Sequence, residues 1–217
     1  MSAKKLIIFA PHPDDETFGC GGVLAKRIHE GFEPIIVLVT DGRALFTFHG
    51  IDKNPLPQQV ADARLDETIK ALEILGCAKS SLVCLDIENE KLEAQQERAE
   101  KEIADLLTAH KPEEIYFTNI HEGHPEHRLT NTIVRAACAR VSYSGRSYQY
   151  IVNLHYQTSL DKIPDETVRI DVSDYREKKR KAVNCFRYHL DIISPEQDAP
   201  FAESFDHYAQ DEEVFFV

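Results

Sequence analysis

The chain has 217 residues, of which 42% are hydrophobic and 29% charged, a composition that is ordinary for a folded globular protein. Its formal net charge of −12 argues against a nucleic-acid partner held by bulk electrostatics. The sequence has no apolar run near the roughly 20 residues that a membrane-spanning helix needs, and its cysteines, dispersed and never in CxxC spacing, indicate neither a disulfide framework nor a thiolate zinc site.

The N-terminal region begins with two lysines ahead of an apolar stretch at residues 6–10. That stretch is too short for the core of a secretory signal and is followed by acids, so it is interpreted as a strand. The length predicts a single domain over residues 1–217, and a sequence without a recognisable secretory signal or membrane span predicts a cytoplasmic protein.

Short runs rich in branched apolar residues predict strands, and stretches of helical periodicity predict the helices between them. In chain order, the predicted elements are strand Leu6–Phe9, helix Thr17–Glu30, strand Ile35–Val39, helix Val60–Leu75, strand Leu82–Leu85, helix Glu93–His110, strand Glu114–Phe117, helix Glu126–Val141, and strands Tyr150–Leu154 and Val168–Ile170. This alternation predicts an α/β, Rossmann-like three-layer fold with a mostly parallel sheet and helices on both faces. A basic segment, Arg176–Arg187, is punctuated at helical spacing and is interpreted as a solvated helix face.

Ligands of such folds bind beyond the carboxyl ends of the strands, which directs attention to residues 10–16, 40–58 and 118–127. In the first of these segments, residues 11–16 read Pro-His-Pro-Asp-Asp-Glu. The helix dipole explains any one acid in a first helical turn, but three acids beside a histidine repel one another unless a cation binds. One imidazole and one carboxylate are partial ligation for zinc, and a neighbouring carboxylate remains free as a base.

The same acids argue against a dinucleotide site, which needs a Gly-rich turn and bare amides at this helix to receive a pyrophosphate. The Gly-Cys-Gly-Gly stretch at residues 19–22 comes later, inside the predicted helix, and is interpreted as a place of close packing against the sheet. The sequence contains no Gly-x-Ser-x-Gly, so a serine hydrolase is not indicated.

The second motif is His-Glu-Gly-His-Pro-Glu-His at residues 121–127. His124 and His127 lie one helical turn apart, and Pro125 favours a helix start just after His124. Taken alone, the motif is equally compatible with surface histidines. Because both motifs follow predicted strands of one sheet, they can converge, and two histidines with a carboxylate complete a zinc shell of the catalytic type.

The strand followed by Pro-His-Pro-Asp-Asp-Glu and, further along, His-Pro-Glu-His resembles the PIG-L/LmbE-like family of zinc-dependent N-deacetylases. These enzymes act on N-acetylglucosamine-containing compounds and related amides. The resemblance covers most of the chain, including residues 5–40, an Arg64…Glu67…Leu75-Gly76 segment, residues 113–137 and the Asp-Val-Ser at 171–173.

The resemblance implies one Zn²⁺ per chain with His12, Asp15 and His127 as ligands. It implies that Asp14 is the general base and that His124 steadies the oxyanion or helps to protonate the leaving amine. This agrees with the chemistry, since zinc polarises an amide carbonyl and acidifies its water while a base takes the proton. The resemblance also makes a homo-oligomer, a trimer or a hexamer, plausible.

Neighbouring residues carry further expectations. Glu16 is expected to hydrogen-bond a metal ligand or a nearby amide. Glu126 stands where the family usually has aspartate, a tolerable change because that residue need not bind metal. The resemblance assigns Arg64 to substrate binding.

Two departures from the family bear on the substrate. After Thr-x-Gly the family often has a glutamate, whereas the turn at residues 40–43 ends in Arg43. The 41–58 loop is expected to form a wall of the pocket, and Arg43 to bind the substrate; a solvent-exposed arginine is the alternative. The family's His-x-Ser-Gln ending of the basic helix is also missing, with Phe-Arg-Tyr-His at residues 186–189.

Three functions follow as hypotheses. The first is hydrolysis of the acetamide of a small N-acetylated amino sugar or glycoconjugate. The second is another zinc amidase, for instance one that cleaves a thiol-sugar conjugate. The third is a catalytically idle metal- or sugar-binding module on the same fold, which has no use for Asp14 as a free base beside the metal ligands.

Overall fold

The computed structural model describes residues 4–153 and 166–217. Its strands are β1 (Lys4–Ala10), β2 (Phe32–Leu38), β3 (Leu82–Cys84), β4 (Glu114–Thr118), β5 (Arg146–Tyr150), β6 (Thr167–Asp171) and β7 (Glu212–Phe216). They form a seven-stranded sheet in the order β3-β2-β1-β4-β5-β7-β6. The strands from β1 to β5 are parallel, and β7 pairs antiparallel with both β5 and β6.

The helices of the described residues are α1 (Asp15–His29), α2 (Leu45–Phe48), α3 (Pro57–Leu75), α4 (Gln96–His110), α5 (Pro125–Arg140), α6 (Arg176–Val183) and α7 (Arg187–Leu190). Alternate residues of β1 face opposite sides of the sheet, as the two-residue repeat of a strand requires. Leu6 and Ile8 join a core with α1, α3 and α6, whereas Ile7 and Phe9 join a core with α4 and α5. Helices therefore cover both faces, which confirms the predicted three-layer α/β fold with a mostly parallel sheet.

The last part of the sheet differs from the prediction. The predicted strand Tyr150–Leu154 is wrong: β5 covers Arg146–Tyr150, and Leu154 lies outside the described residues. The prediction relied on a run of apolar residues, but β5 alternates polar and apolar residues. It forms a strand because it pairs in register with β4, where Tyr148 lies opposite Tyr116. Strand β7 was not predicted.

Helix α6 forms within the basic segment, but its interpretation as a solvated face is wrong at one position. Lys179 is buried, and its Nζ lies 2.6 Å from Glu213 Oε1 of β7. Both oxygens of the Glu213 carboxylate also accept hydrogen bonds from amides of α1, those of Gly22 and Val23. Because a buried ion pair needs such additional hydrogen bonds, this cluster ties α6 and α1 to the sheet edge.

The glycines inside α1 allow the helix to lie close to its neighbours, as the sequence predicts. A Cβ atom on Gly19 would clash with the Tyr150 ring of β5, and one on Gly22 would lie 2.8 Å from Val172 Cγ2. This packing fixes the N-terminal end of α1, where the first motif lies. Among the described residues, no helix is both long enough and apolar enough to cross a membrane.

Candidate metal centre and active site

The two motifs meet because they follow neighbouring parallel strands. The first motif follows β1 and leads into α1, while the second follows β4 and leads into α5. Both contribute to a cavity of about 1130 Å³ at the carboxyl ends of the strands. The position agrees with the rule that ligands of open α/β sheets bind at this edge.

Three polar atoms converge at the floor of this cavity. His12 Nδ1 lies 3.1 Å from His127 Nε2, and Asp15 Oδ2 lies 3.3 Å from His12 Nδ1 and 3.2 Å from His127 Nε2. All three residues are buried. A tetrahedral site with metal–ligand bonds of about 2.0–2.1 Å has ligand–ligand edges of roughly 3.3 Å. The triangle therefore has the size of one face of a zinc coordination shell, and its nitrogen and oxygen donors suit that metal.

A second combination of possible ligands is looser. Donor atoms of His12, His124 and His127 all lie within 4.8 Å of one another. The donors of the triangle with Asp15 lie closer together, at 3.1–3.3 Å, and His124 lies beside them.

Each histidine of the triangle has a carboxylate on its far nitrogen. His12 Nε2 lies 2.8 Å from Glu126 Oε2, and His127 Nδ1 lies 3.3 Å from Glu122 Oε1. Asn89 also donates a hydrogen bond to Glu126 through Nδ2. Such pairs fix the ring orientation and raise the basicity of the nitrogen that faces a metal. Sequence reasoning gave Glu122 and Asn89 no role, because neither belongs to a ligand spacing.

The carboxylates around the triangle favour a positive charge at its centre. Burial opposes a charge on His127, but Asp15 and Glu122 overcome it and raise the pKa of the imidazole to about 10. Burial likewise opposes the charge on Asp15, yet His127 and His12 hold the pKa of that carboxyl well below its ordinary value. Since a metal ligand must be deprotonated, protons and a metal ion compete for these atoms.

His124 caps helix α5, which sets the role of its two ring nitrogens. Its Nδ1 accepts a hydrogen bond of 3.2 Å from the Glu126 amide. In a neutral imidazole the other nitrogen, Nε2, then carries the hydrogen and is a donor. Burial, with His12 and His127 nearby, lowers the pKa of His124 to about 4, so the neutral ring predominates at neutral pH.

Asp14 occupies a strained turn between β1 and α1. Its φ is 125°, a conformation that costs a non-glycine residue of the order of 1–3 kcal/mol. Glu16 supports the turn by accepting a hydrogen bond of 3.1 Å from the Asp14 amide, as expected of a residue that bonds a nearby amide. Burial and the nearby Asp14 carboxylate raise the pKa of Glu16 to about 8. Strain of this kind is typical of functional sites.

Arg64 holds the Asp14 carboxylate, and His189 lies close to it. Arg64 Nη2 donates to Asp14 Oδ2 at 2.7 Å, and His189 Nε2 lies 3.0 Å from the same oxygen. Arg64 is buried and also donates to the carbonyl oxygens of Pro13 and Gly42. Asp14 therefore lies beside the triangle, lines the cavity, and is not one of the three converging donors.

The residues from 7 to 138 match the PIG-L family, described as GlcNAc-PI de-N-acetylase. The chain belongs to this family. The matched segment contains both motifs, and the resemblance seen in the sequence is thereby confirmed.

Two relatives carry related descriptions. The chain is 32% identical over 128 residues to a diacetylchitobiose deacetylase of Thermococcus kodakarensis, covering 58% of this chain and 45% of the relative. It is 28% identical over 155 residues to a 1D-myo-inositol 2-acetamido-2-deoxy-alpha-D-glucopyranoside deacetylase of Corynebacterium glutamicum, covering 63% of this chain and 53% of that protein. The chain spans about half the length of these curated relatives.

A solved structure extends the likeness over more of the chain. The N,N'-diacetylchitobiose deacetylase of Pyrococcus horikoshii, solved with an inhibitor, superimposes with a TM-score of 0.69. The match covers 86% of this chain and 70% of that one, at 24% sequence identity. Identity this low shows a shared fold and no more.

The 41–58 loop was expected to form a wall of the cavity and to bring Arg43 to the substrate. Its residues Ala44, Leu45, Phe48 and His49 line the cavity, so the loop forms one wall of it. Arg43 does not line the cavity. Its guanidinium pairs with Asp41, two residues earlier, at 2.6 Å and with Glu88 at 3.0 Å.

Arg64 has protein partners in the structure, and His189, to which the sequence gave no role, lies near the proposed site. The resemblance assigns Arg64 to the substrate, but in the structure three acceptors of the protein itself, Asp14 among them, use its guanidinium. His189 comes from α7, in the region where the sequence departs from the family ending. Its position opposite Asp14 could not be found from spacing, because the two residues are far apart in the chain and meet through tertiary packing, in which α7 contacts α3.

Proposed function

We propose that the protein is a zinc-dependent amide hydrolase that removes an acetyl group from an N-acetylated amino sugar or glycoconjugate. The observation that carries this proposal is the placement of Asp14. It lies next to the triangle of metal-type donors, in a strained turn, with one carboxylate oxygen hydrogen-bonded by Arg64 and 3.0 Å from His189 Nε2. A binding module needs the triangle but has no need for a second, separately held carboxylate.

In this proposal, His12, Asp15 and His127 hold one zinc ion per chain. Their 3.1–3.3 Å separations support this set. When bound, zinc would polarise the amide carbonyl and lower the pKa of a coordinated water. Glu126 orients the His12 ring through a hydrogen bond at its far nitrogen, and the Glu122 carboxylate lies 3.3 Å from the far nitrogen of His127.

Asp14 acts as the general base. It takes a proton from the attacking water, whose oxygen forms a bond to the carbonyl carbon. The carbon–nitrogen bond then breaks, and the leaving nitrogen receives the proton that Asp14 took, which yields a free amine and acetic acid. The acid then loses its remaining proton to solvent as acetate. Arg64 holds Asp14 Oδ2 in place throughout. General-base catalysis of this type contributes about 10² to 10⁴ in rate.

His124 serves as a hydrogen-bond donor to the carbonyl oxygen as it becomes negative. Its Nδ1 is occupied by the Glu126 amide, so Nε2–H is the group available to a ligand. A positioned donor to a developing oxyanion contributes more than a donor in water, because it needs no reorganisation during the reaction. This favours the oxyanion role of His124 over proton donation to the amine.

The substrate class rests on the relatives. Their names specify deacetylases of diacetylchitobiose and of an inositol-linked 2-acetamido-2-deoxyglucoside. Both compounds carry an acetamido group on a sugar ring. We extend that class to this chain, with another zinc amidase as the second candidate.

The test combines metal analysis with an amine-release assay. Purified protein is reconstituted with zinc and offered N-acetylglucosamine, N,N'-diacetylchitobiose and the inositol glycoside, and released amine is measured with fluorescamine. We expect about one zinc per chain and amine release with at least one sugar. Asp14→Asn should retain zinc and lose most of the turnover, whereas His127→Ala should lose zinc. An active Asp14→Asn protein, or zinc content unchanged by His127→Ala, would overturn the proposal.

A further inference from the structure

An aromatic side chain stands exposed at the cavity wall. Phe48 ends the short helix α2 and is 72% exposed, although it lines the cavity. Its ring centroid lies 6.3 Å from that of His124. Single exposed apolar residues are common on protein surfaces, but this one faces the space beside the proposed reaction centre.

The neighbours of Phe48 hold it in this position. Phe46 is buried, and its ring packs edge-on against Phe201 at 4.9 Å and Tyr188 at 5.8 Å. His49 stacks on Phe201 with a centroid distance of 4.1 Å and an interplanar angle of 13°. Because the residues on either side are anchored to the C-terminal region, α2 cannot turn to bury Phe48 without losing these contacts.

The charges of the cavity leave this ring as a candidate for binding a neutral ligand. Among the described residues that line it, Arg64 is the only arginine or lysine, and its guanidinium is taken up by Asp14 and two backbone carbonyls. The described wall therefore has no free lysine or arginine to anchor an anionic substrate. A pyranose instead offers a face of C–H groups, which are attracted to the electron-rich face of an aromatic ring.

We propose that Phe48 is a stacking platform for the sugar ring that bears the reacting acetamido group. The proposal rests on the proposed function, because His124 fixes where that group lies. A ring stacked on Phe48 would present its acetamido substituent toward His124, one ring away. Phe48 would then determine substrate binding and take no part in proton transfer.

Kinetics of three variants test the proposal. Phe48→Ala should raise the KM for N,N'-diacetylchitobiose roughly 3- to 10-fold and leave kcat within about 2-fold, since the contact is equal in ground and transition states. Phe48→Tyr should restore the KM. Ile192→Ala is the matched control, because Ile192 is 57% exposed and does not line the cavity. An unchanged KM in Phe48→Ala overturns the proposal.

A binding measurement separates this proposal from the proposed function. The chain contains no tryptophan, so Phe48→Trp introduces a single tryptophan, which is excited at longer wavelength than the tyrosines. Titration of Phe48→Trp/Asp14→Asn with N,N'-diacetylchitobiose should change its emission saturably, without turnover. If wild type releases no amine from any sugar, the proposed function fails, and the titration still reports whether sugar stacks at this position. A change of oligomeric mass in Phe48→Ala with unchanged KM would assign the ring to a subunit contact and overturn the proposal.

Discussion

His189 Nε2 lies 3.0 Å from Asp14 Oδ2, on a carboxylate oxygen that Arg64 also contacts. Residue 189 belongs to α7, which lies in the region that departs from the family sequence. The contact joins the proposed base in the N-terminal motif to a C-terminal helix. It brings residues from both ends of the chain together beside the proposed base.

The first prediction follows from this contact. His189→Phe removes the ring nitrogen but keeps a ring of similar size against Phe205. We expect zinc content to be unchanged and kcat to fall roughly 10-fold or more, because Asp14 loses one of the groups that orient it. His207→Phe, an exposed histidine outside the cavity, is the control. Equal kcat in His189→Phe and wild type would exclude a positioning role.

The second prediction concerns Gly42, next to Arg64. Gly42 has φ of 65°, and a Cβ there would clash with Arg64 Nη1 and lie 2.8 Å from Pro13 Cδ. Gly42→Ala should displace the guanidinium and with it Asp14, so kcat should fall about 10-fold or more while zinc remains bound. Steady-state kinetics and metal analysis on the same sample measure both.

Gly50 supplies the control for that variant. Its φ is 78°, and nothing lies within 4 Å of a Cβ built on it. Gly50→Ala therefore carries the same backbone strain, of the order of 1 kcal/mol, without the clash. A loss of stability is expected in both variants, and a loss of activity in Gly42→Ala only. If both lose activity equally, the effect comes from strain in the loop and not from Arg64.

The third prediction concerns Glu126, which stands where the family usually has aspartate. The carboxylate reaches His12 Nε2 at 2.8 Å and accepts the Glu90 amide at 2.8 Å. Glu126→Ala should weaken zinc affinity about 10- to 100-fold, because the orientation of His12 is lost. Competition with a chromophoric chelator measures the affinity. Glu93→Ala, a cavity-lining acid away from His12, should leave zinc affinity unchanged.

Much of this arrangement could be predicted because it depends on local pattern. The alternation of strands and helices gave the layers, and the positions after β1 and β4 placed His12 and His127 at one edge of the sheet. The contacts of Arg43 could not be predicted in this way. Its loop does line the cavity, but Asp41 lies two residues away in the turn and captures the guanidinium, a contact that loop position alone does not reveal.

The other surprises arise from long-range pairing. Strand β7 contains Glu213, whose carboxylate would be costly to bury alone. Lys179 of α6 forms an ion pair with it and offsets that cost. His189 likewise has no signal of its own in the sequence. Both depend on contacts between elements far apart in the chain. The pattern of residues within one segment therefore cannot predict them.

The last prediction is a pH dependence of stability that originates at Glu67. This residue of α3 is buried; its Oε1 accepts the Tyr188 amide at 3.0 Å, and its Oε2 has no hydrogen-bond partner. Burial, with a smaller effect of Asp14, raises the pKa of its carboxyl from the ordinary 4.5 to about 7. Between these values the unfolded chain releases the proton while the folded chain keeps it. The free energy of unfolding should therefore fall as pH rises from 4.5 to 7, and the contribution of Glu67 should be constant above that.

Glu67→Gln removes this titration and can keep the bond to the Tyr188 amide through its side-chain oxygen. We expect the variant to gain stability relative to wild type as pH rises, by an amount on the order of 2 kcal/mol between pH values of about 5 and 8. Urea unfolding of both proteins at each pH gives the difference between their free energies of unfolding. The contributions of the other titrating groups are common to both proteins and cancel in this difference. Glu73→Gln, an exposed acid on the same helix, should show no such gain. If Glu67→Gln and wild type differ equally at both pH values, the carboxyl of Glu67 titrates alike in the folded and unfolded chains, and its burial carries no pH-dependent cost.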